Sequence, residues 1–178
     1  MKLRAGDRAK DFEATDLFGS RVSLQDYQGK RLMLSFFRYA SCPFCNLRVH
    51  ELSTRLDSLR DKGVSLVAVF QSPEESIRRY AGRQAPPFPI IPDPDRRLYR
   101  VYGVEPSWTG FLKGMLRPAA FVSAVSKGYL PGKVEGETAM VPADFLIGPD
   151  LVIDHAYYGK DIGDHIPLTA VEEWLRNK

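Results

Sequence analysis

The sequence predicts an α/β protein in which helices flank a central mixed sheet. Two compact apolar runs, LMLSFF (32–37) and VSLVAVF (64–70), have the length and the β-branched or aromatic content of buried strands. Each run precedes a segment with helical signals, and strands that alternate with helices favour a parallel sheet. A later pair, DFLIG (144–148) and LVIDHAYY (151–158), flanks a Gly-Pro-Asp turn and is expected to be antiparallel, which makes the sheet mixed.

A short hairpin is predicted ahead of this sheet at residues 11–24, where polar and apolar residues alternate around a Phe-Gly-Ser turn. The segment after residue 42 is predicted to be a helix that ends at Gly63, because four apolar residues recur there at helical spacing. These residues are Val49, Leu52, Leu56 and Leu59.

Three further helices are expected, at 72–84, 96–104 and 169–178. The first begins with a capping box of Ser72 and Glu75, with a proline at the first helical position. The last begins with a second capping box, formed by Thr169 and Glu172.

Residues 107–137 interrupt this order and are predicted to be a partly helical insertion in a single domain that spans 1–178. Glycine and proline recur in it among bulky aromatic and basic residues. The basic residues are Lys113, Arg117, Lys127 and Lys133. Its aromatic residues are expected to fill the core, or else to form a hydrophobic lip over a substrate site. They are Trp108, Phe111 and Phe121.

The composition is that of an ordinary globular protein, 44% hydrophobic and 26% charged, with a net charge of +3. Its 25 basic residues are spread along the chain without a dense stripe or a recognition motif, so no nucleic-acid partner is expected. No apolar run approaches the length of about 18 residues that a membrane-spanning helix needs. The polar N-terminal stretch lacks a signal-peptide core, so we expect a cytoplasmic protein with no membrane partner.

Both cysteines lie in SFFRYASCPFCNLRVHEL (35–52), where a predicted strand meets a predicted helix. The free N–H groups and the positive dipole end of that helix favour a thiolate at Cys42. Cys45 follows one helical turn later, so the two Cα atoms are expected about 5–6 Å apart, which a disulfide can span. We predict that Cys42 is the attacking thiolate and Cys45 the resolving thiol.

Two other interpretations of the cysteines remain open at this point. Both could be inert core thiols, because free cysteine is often buried. A zinc site would need further ligands, and the three histidines, His50, His155 and His165, are scattered along the chain. No metal and no other cofactor is therefore predicted.

Several neighbours of the cysteines are candidate supporting residues. Pro43 fixes the backbone at the helix start and removes one N–H donor. Arg38 either brings a cation to the Cys42 thiolate or is a surface charge after the strand. Asp164 and His165, in GDHIP (163–167), are expected to form a turn rather than a catalytic pair.

The chain resembles the AhpC/TSA branch of the thioredoxin-fold superfamily, and within it the peroxiredoxin-like proteins that carry a CxxC pair. The similarity lies in RYASCPFC, in SPEESIRRYAGRQ and FPIIPDPDRRLYRVYGV downstream, and in the terminal FLIG and GDHIP. It implies a thioredoxin-like fold with an N-terminal β-hairpin extension and catalysis by the CxxC pair. The predicted insertion before the last hairpin is a feature of this chain in addition. The resemblance also implies that Pro142 is a cis-proline beside the cysteines, with the backbone of Val141 free to pair with an incoming substrate.

Three positions depart from the peroxiredoxin pattern Pro-x-x-x-Thr/Ser-x-x-Cys and its later arginine. Ser35 stands where these proteins have Pro, and Tyr39 where they have Thr or Ser. The arginine that helps to bind peroxide would fall at Pro142. Because peroxide reduction requires donors at the reacting oxygen atoms, these departures favour disulfide exchange.

The sequence thus predicts a thiol–disulfide oxidoreductase that cycles Cys42 and Cys45 between dithiol and disulfide. A thiol-dependent peroxidase that reduces hydroperoxides is one alternative. A non-catalytic thioredoxin-fold binding module, with a near-normal Cys42 pKa, is another. The expected partners are a disulfide or hydroperoxide substrate and a thioredoxin-type or glutathione-type electron donor, and the protein is expected to be a monomer or a dimer.

Overall fold

The computed structural model describes residues 1–116 and 118–176, so Arg117 and the last two positions of the predicted terminal helix lie outside the described residues. The strands are β1 (Glu13–Thr15), β2 (Arg21–Ser23), β3 (Arg31–Phe36), β4 (Val64–Phe70), β5 (Ile90–Pro92), β6 (Ala143–Ile147) and β7 (Ile153–Tyr158). The helices are α1 (Pro43–Asp61), α2 (Glu74–Arg79), α3 (Arg97–Val101), α4 (Trp108–Met115), α5 (Pro118–Ser126) and α6 (Leu168–Arg176).

The strands form one antiparallel hairpin, β1–β2, and one sheet in the order β5-β4-β3-β6-β7. Strand β3 is parallel to β4, and β4 is parallel to β5. Strands β6 and β7 are antiparallel to their neighbours. The predicted hairpin and the predicted mixed sheet are confirmed, with parallel and antiparallel pairings in equal number.

Strand β3 lies at the centre of the sheet and is buried on both faces. Leu32, Leu34 and Phe36 point to one face, where α3 and the N-terminal segment cover them. Met33 and Phe37, from the following loop, belong to the other face, which α1 and α6 cover. A strand that is buried on both sides reads as a continuous apolar run, which explains the pattern from which it was predicted.

The end of α1 is as predicted, because Gly63 follows it with a φ of +78°. The capping box expected at Ser72 is wrong: α2 begins at Glu74, and Ser72 Oγ instead accepts a hydrogen bond from the backbone of Ala40 at 2.9 Å. The Ser72 hydroxyl, which was expected to cap α2, is therefore hydrogen-bonded to the loop that carries the cysteines.

The second capping box, at Thr169, is also wrong. Helix α6 begins at Leu168, so Thr169 lies inside its first turn. The carbonyl of Pro167 accepts the first hydrogen bonds of the helix, from the backbone of Ala170 and Val171 at 3.0 and 3.3 Å. The backbone of Pro167, just before the helix, thus provides the acceptor at its start.

Helices α4 and α5 occupy the segment between α3 and β6. The side chain of Ser107 caps α4 by accepting a hydrogen bond from the backbone of Gly110 at 3.1 Å. Glycine allows this helix to approach the body closely, since a Cβ at Gly110 would lie 2.8 Å from the carbonyl oxygen of Lys160, and one at Gly114 would lie 2.1 Å from Ile162 Cγ1. Within the described residues, none of the helices has the length and apolarity to span a bilayer.

Candidate active site

Cys42 is the N-cap residue of α1, at the end of the loop that follows the central strand β3. Its φ and ψ of −69° and 122° are extended, and its carbonyl accepts the first helical hydrogen bond, from Asn46 at 3.1 Å. Pro43 occupies the first helical position and has no N–H, so the first free donors are those of Phe44 and Cys45. The start of α1, with its free N–H groups, therefore lies at the sulfur of Cys42.

Cys45 lies one turn into the same helix, and both cysteines are free thiols buried in the core cluster that includes Phe37 and Val49. The thiol of Cys45 donates a hydrogen bond to Cys42. One open interpretation was that both cysteines are inert core thiols, which need no polar partners. Cys42 has several polar partners, which argues against that interpretation.

Arg38 is the most important of these partners. Its Nη1 donates a hydrogen bond to Cys42 Sγ at 3.2 Å, and its Nη2 donates to the carbonyl of Thr138 at 2.5 Å. The side chain is 1% exposed, so the surface-charge interpretation of Arg38 is wrong. Its guanidinium lies over the Tyr39 ring, 4.8 Å from the centroid, and its Nε is buried without a hydrogen-bond partner.

These contacts shift the pKa values of the two thiols in opposite directions. Burial by itself raises the pKa of Cys42. The hydrogen bond from Cys45 and the charge of Arg38 outweigh it, together with the N–H groups at the helix start, and lower the pKa to about 6. Burial and the neighbouring Cys42 raise the pKa of Cys45 well above its usual value, so it stays protonated.

Four hydrogen bonds hold the cysteine loop in place. Ser41 Oγ donates to the carbonyl of Lys133 at 2.6 Å, which fastens the loop to the insertion. Asn46 Nδ2 donates to the carbonyls of Ala40 and Cys42 at 2.7 and 2.9 Å. The fourth is the bond from Ala40 to Ser72. One of these residues could have been found from the sequence: Asn46 is four residues after Cys42 and so on the same side of the helix.

A mostly apolar cavity of about 350 Å³ opens beside Cys42. Its lining residues include Tyr39, Phe44, Phe111, Phe121, Pro131 and Ile162. Phe111 and Phe121 therefore form the lip that was one of two expectations for the aromatic residues of the insertion. Trp108 is 63% exposed, so the expectation that it fills the core is wrong.

Pro142 does not take the expected geometry. None of the described peptide bonds is cis, so the bond from Val141 to Pro142 is trans. The carbonyl of Pro142 accepts a hydrogen bond from the backbone of Gly159 at 2.8 Å, which extends the pairing of β6 with β7 and suits an ordinary extended chain. Val141 is buried against α4 at Gly110, and Pro142 does not line the cavity at Cys42.

His165 has a partner that the sequence did not reveal. Its Nδ1 lies 3.0 Å from Asp144 Oδ2, on strand β6, and not beside Asp164. Asp164 instead accepts hydrogen bonds from the Tyr157 hydroxyl and the Lys160 backbone, both at 2.8 Å, as a turn residue would. Nothing in the local sequence links positions 144 and 165, so only the fold brings this pair together.

The described residues contain no group of three or more His, Cys, Asp or Glu side chains that could hold a metal ion. His50 faces the ring of Tyr129, with the centroids 6.4 Å apart, rather than either cysteine. The two thiols and Arg38 are thus the chemical groups that the fold gathers at the helix start.

A family model for the AhpC/TSA family matches residues 5–156. The chain belongs to this family. Peroxiredoxin Bcp of Escherichia coli K12 is 31% identical over 110 residues, which cover 61% of this chain and 70% of that protein. Thiol-disulfide oxidoreductase ResA of Halalkalibacterium halodurans is 30% identical over 110 residues, 61% of this chain and 62% of that protein.

The fold is that of solved relatives along almost the whole chain. The crystal structure of the peroxidoxin BcpB from Mycobacterium tuberculosis superposes with a TM-score of 0.68 and 16% identity, and covers 98% of this chain and 95% of that one. The predicted thioredoxin-like fold is confirmed. With its family and its relatives, the protein is an oxidoreductase enzyme, which argues against the non-catalytic binding module.

Proposed function

We propose that the protein is a thiol peroxidase that reduces small hydroperoxides with Cys42 and is resolved by Cys45. The observation that carries this proposal is the hydrogen bond from Arg38 Nη1 to Cys42 Sγ, 3.2 Å long, at the wall of an apolar cavity. The sequence favoured disulfide exchange because the peroxide-binding arginine of the family is replaced at Pro142. Arg38, at the start of the loop that ends at Cys42, places a buried guanidinium at the sulfur. It can therefore provide the hydrogen-bond donor that the family arginine provides to the peroxide.

The access to Cys42 also favours a small oxidant. The residue is 0% exposed although it lines the cavity, so a disulfide of a folded protein cannot reach its sulfur without opening the site. Val141, whose backbone was expected to pair with a bound peptide, is a buried residue whose side chain packs against Gly110 of the insertion. A hydroperoxide needs only the space of the cavity.

The reaction follows from the two acidities. The Cys42 thiolate attacks the outer oxygen of ROOH, the O–O bond breaks, and Cys42 becomes a sulfenic acid while RO⁻ takes a proton and leaves as ROH. Arg38 stabilises the negative charge as it moves from sulfur to the leaving oxygen. The Cys45 thiol then attacks the sulfenic sulfur, forming the disulfide and releasing water. An external reductant, either one thioredoxin-type dithiol or two glutathione-type thiols, returns two electrons and two protons and is itself oxidised to a disulfide.

Stopped-flow mixing of the reduced protein with hydrogen peroxide and with an organic hydroperoxide tests this function. We expect oxidation at least about 10²-fold faster than that of free cysteine, because a preorganised donor is worth about that much. Cys42→Ser should abolish the reaction. Cys45→Ser should keep the first step and accumulate a sulfenic acid that a dimedone probe traps. A rate close to that of free cysteine would refute the proposal.

Disulfide exchange is the second candidate, favoured by the position of Cys45 one helical turn from Cys42 and by the similarity to ResA. It predicts that Cys45→Ser forms a stable mixed disulfide with a protein disulfide faster than it reacts with hydroperoxide. Competition between the two oxidants for one sample of this variant ranks the two activities directly. The expected location in a reducing compartment such as the cytoplasm fits either function, because both require the dithiol to be regenerated.

A further inference from the structure

The outer side of α4 carries a stripe of exposed apolar side chains. Trp108, Leu112 and Leu116 follow one another at intervals of four residues and are 63%, 64% and 81% exposed. The opposite side of the helix, at Gly110 and Gly114, packs on the body of the protein. Because the glycine side of α4 makes the contact with the protein body, the apolar stripe on the other side faces the solvent.

Helix α5, which follows α4 along the chain, also carries exposed apolar side chains, Phe121 and Val122. We call these five residues, Trp108, Leu112, Leu116, Phe121 and Val122, the apolar face. Of the ten large hydrophobic residues that are exposed among the described residues, seven lie between 108 and 134, whereas Met1, Phe18 and Val101 are scattered. A concentration of this kind marks an interaction surface, while single exposed apolar residues do not.

The same segment has a one-sided charge. The 29 residues from 106 to 134 contain four basic residues and no acidic one, although the chain has 22 acidic residues among 178. The basic residues are Lys113, Arg117, Lys127 and Lys133. Lys113 is exposed on α4 beside the stripe, where its long side chain can reach an anionic surface while the leucines are covered.

We propose that the apolar face docks on the surface of an anionic lipid bilayer. Exposed tryptophan and leucine flanked by lysine and arginine is the composition of helices that lie in the membrane interface. A second copy of the chain fits less well, because a symmetric contact through this face would bring its basic residues against each other. Leu116 is the most exposed of the five residues, and a bilayer can cover such side chains without a matching groove.

Docking would turn the cavity toward the lipid. Phe121 belongs to the apolar face and, together with Phe111 from α4, lines the cavity at Cys42. The sequence-based expectation of no membrane partner was based on the absence of a membrane-spanning helix. A helix that lies on the bilayer surface does not have to span it. The proposal does not depend on the proposed peroxidase function, since binding is measured without turnover.

Vesicle sedimentation with the full chain tests the proposal, with phosphatidylcholine alone or with about one third phosphatidylserine. We expect binding to the anionic vesicles that weakens with added salt. Trp108 provides a second readout: its emission should shift to the blue on binding, while the buried Trp174 stays constant. Leu112→Ser combined with Leu116→Ser should weaken binding about tenfold or more, and Lys113→Glu combined with Lys127→Glu should do likewise.

Phe18→Ser is the matched control, because Phe18 is 59% exposed but lies in the N-terminal hairpin, and Lys10→Glu is the control for charge. Both should bind as the parent does. Absence of binding to anionic vesicles, or binding that the leucine variant leaves unchanged, would overturn the proposal. A dimer in solution that the leucine variant dissociates would assign the face to a second copy of the chain and overturn it as well.

Discussion

Two buried pairs of polar side chains lie at the same edge of the sheet, and they differ in the groups that they bring together. Arg38 and Cys42 follow the end of β3, while Asp144 and His165 lie where β6 begins, with Asp144 directly opposite Ser35 of β3. The Asp144 carboxylate is completely buried and also accepts a hydrogen bond from the backbone of Ile166 at 2.8 Å. Arg38 keeps an unpartnered Nε and faces a cavity.

The difference shows how to distinguish a buried charged residue that stabilises the fold from one that takes part in the reaction. Asp144 bonds to His165 and to the backbone of Ile166, and so ties the turn before α6 to the sheet. Arg38 has a reactive atom as one of its partners and space for a ligand beside it. Burial and a charged partner are common to both, and His165 also lines a cavity, of about 430 Å³, so it is the thiolate that indicates chemistry at Arg38.

Replacement of Arg38 should have the largest effect on reactivity. Arg38→Gln removes the charge that lowers the Cys42 pKa and the donor that stabilises the leaving oxygen, so the rate of oxidation by hydroperoxide should fall about 10²–10³-fold at neutral pH. Stopped-flow oxidation of the reduced variant measures this. Arg38→Lys is the matched control: it keeps the charge near Cys42 but loses the fork that also reaches Thr138, and should be intermediate. A variant as fast as the parent would remove Arg38 from the site.

Replacement of Asp144 should have the opposite profile. Asp144→Asn breaks a buried pair and should lower the free energy of unfolding by about 3–5 kcal/mol. Its rate at Cys42 should stay within about twofold of the parent, because Asp144 does not line the cavity. Urea unfolding and stopped-flow oxidation of the same sample check both halves. A large loss of rate in a folded variant would show that this pair also acts on the chemistry.

The parts of the site that the sequence predicted depend on neighbours along the chain. The strand before Cys42, the helix after it and the spacing to Cys45 follow from local periodicity and capping. The burial of Arg38 depends on the carbonyl of Thr138, one hundred residues away, and on the insertion that covers it. A local pattern has no information about such a contact, so the sequence left the role of Arg38 open.

The wrong predictions have the same physical origin. Ser72 was expected to cap its own helix, but the backbone of Ala40, brought to it by the fold, takes the hydroxyl. The composition of the insertion suggested core aromatic residues without indicating that Trp108 is exposed. The pairing of Asp144 with His165 crosses from a strand to a distant turn, and only the register of β6 against β3 determines it.

The pH dependence of Cys42 is a further way to sharpen the comparison. With a pKa of about 6, the thiolate is the main form at neutral pH, so the rate of oxidation should rise with pH and level off above about 7. At pH 5 it should be about tenfold below the plateau. Ultraviolet absorbance of the thiolate, with Cys45→Ser as the control for the second thiol, gives the pKa independently. A midpoint near 9, the ordinary value for a free thiol, would contradict the geometry.

The same shift predicts how stability depends on pH. The pKa of Cys42 is lowered on folding from its ordinary value of 9.0, so its contribution is fully present above pH 9 and is lost as pH falls toward about 6. The raised pKa of Cys45 acts in the other direction and destabilises the reduced protein above pH 9. The pKa of Asp144 is also lowered, because the charge and hydrogen bond of His165 outweigh its burial, and its contribution is lost only in acid, below about pH 4. Denaturant titrations of the reduced parent, Cys42→Ser and Asp144→Asn across this range should separate the two losses.

The smallest effect is expected at Tyr39, where peroxiredoxins have Thr or Ser. The guanidinium of Arg38 lies over the face of the Tyr39 ring, and the ring lines the cavity. Tyr39→Phe keeps both contacts and removes only the hydroxyl, so the rate of peroxide reduction should change by about twofold or less. Tyr39→Leu, which removes the π face, should lower the rate further because the cation then loses that support. If Tyr39→Phe alone were as slow as Arg38→Gln, the tyrosine hydroxyl rather than Arg38 would be the donor that replaces the missing Thr or Ser.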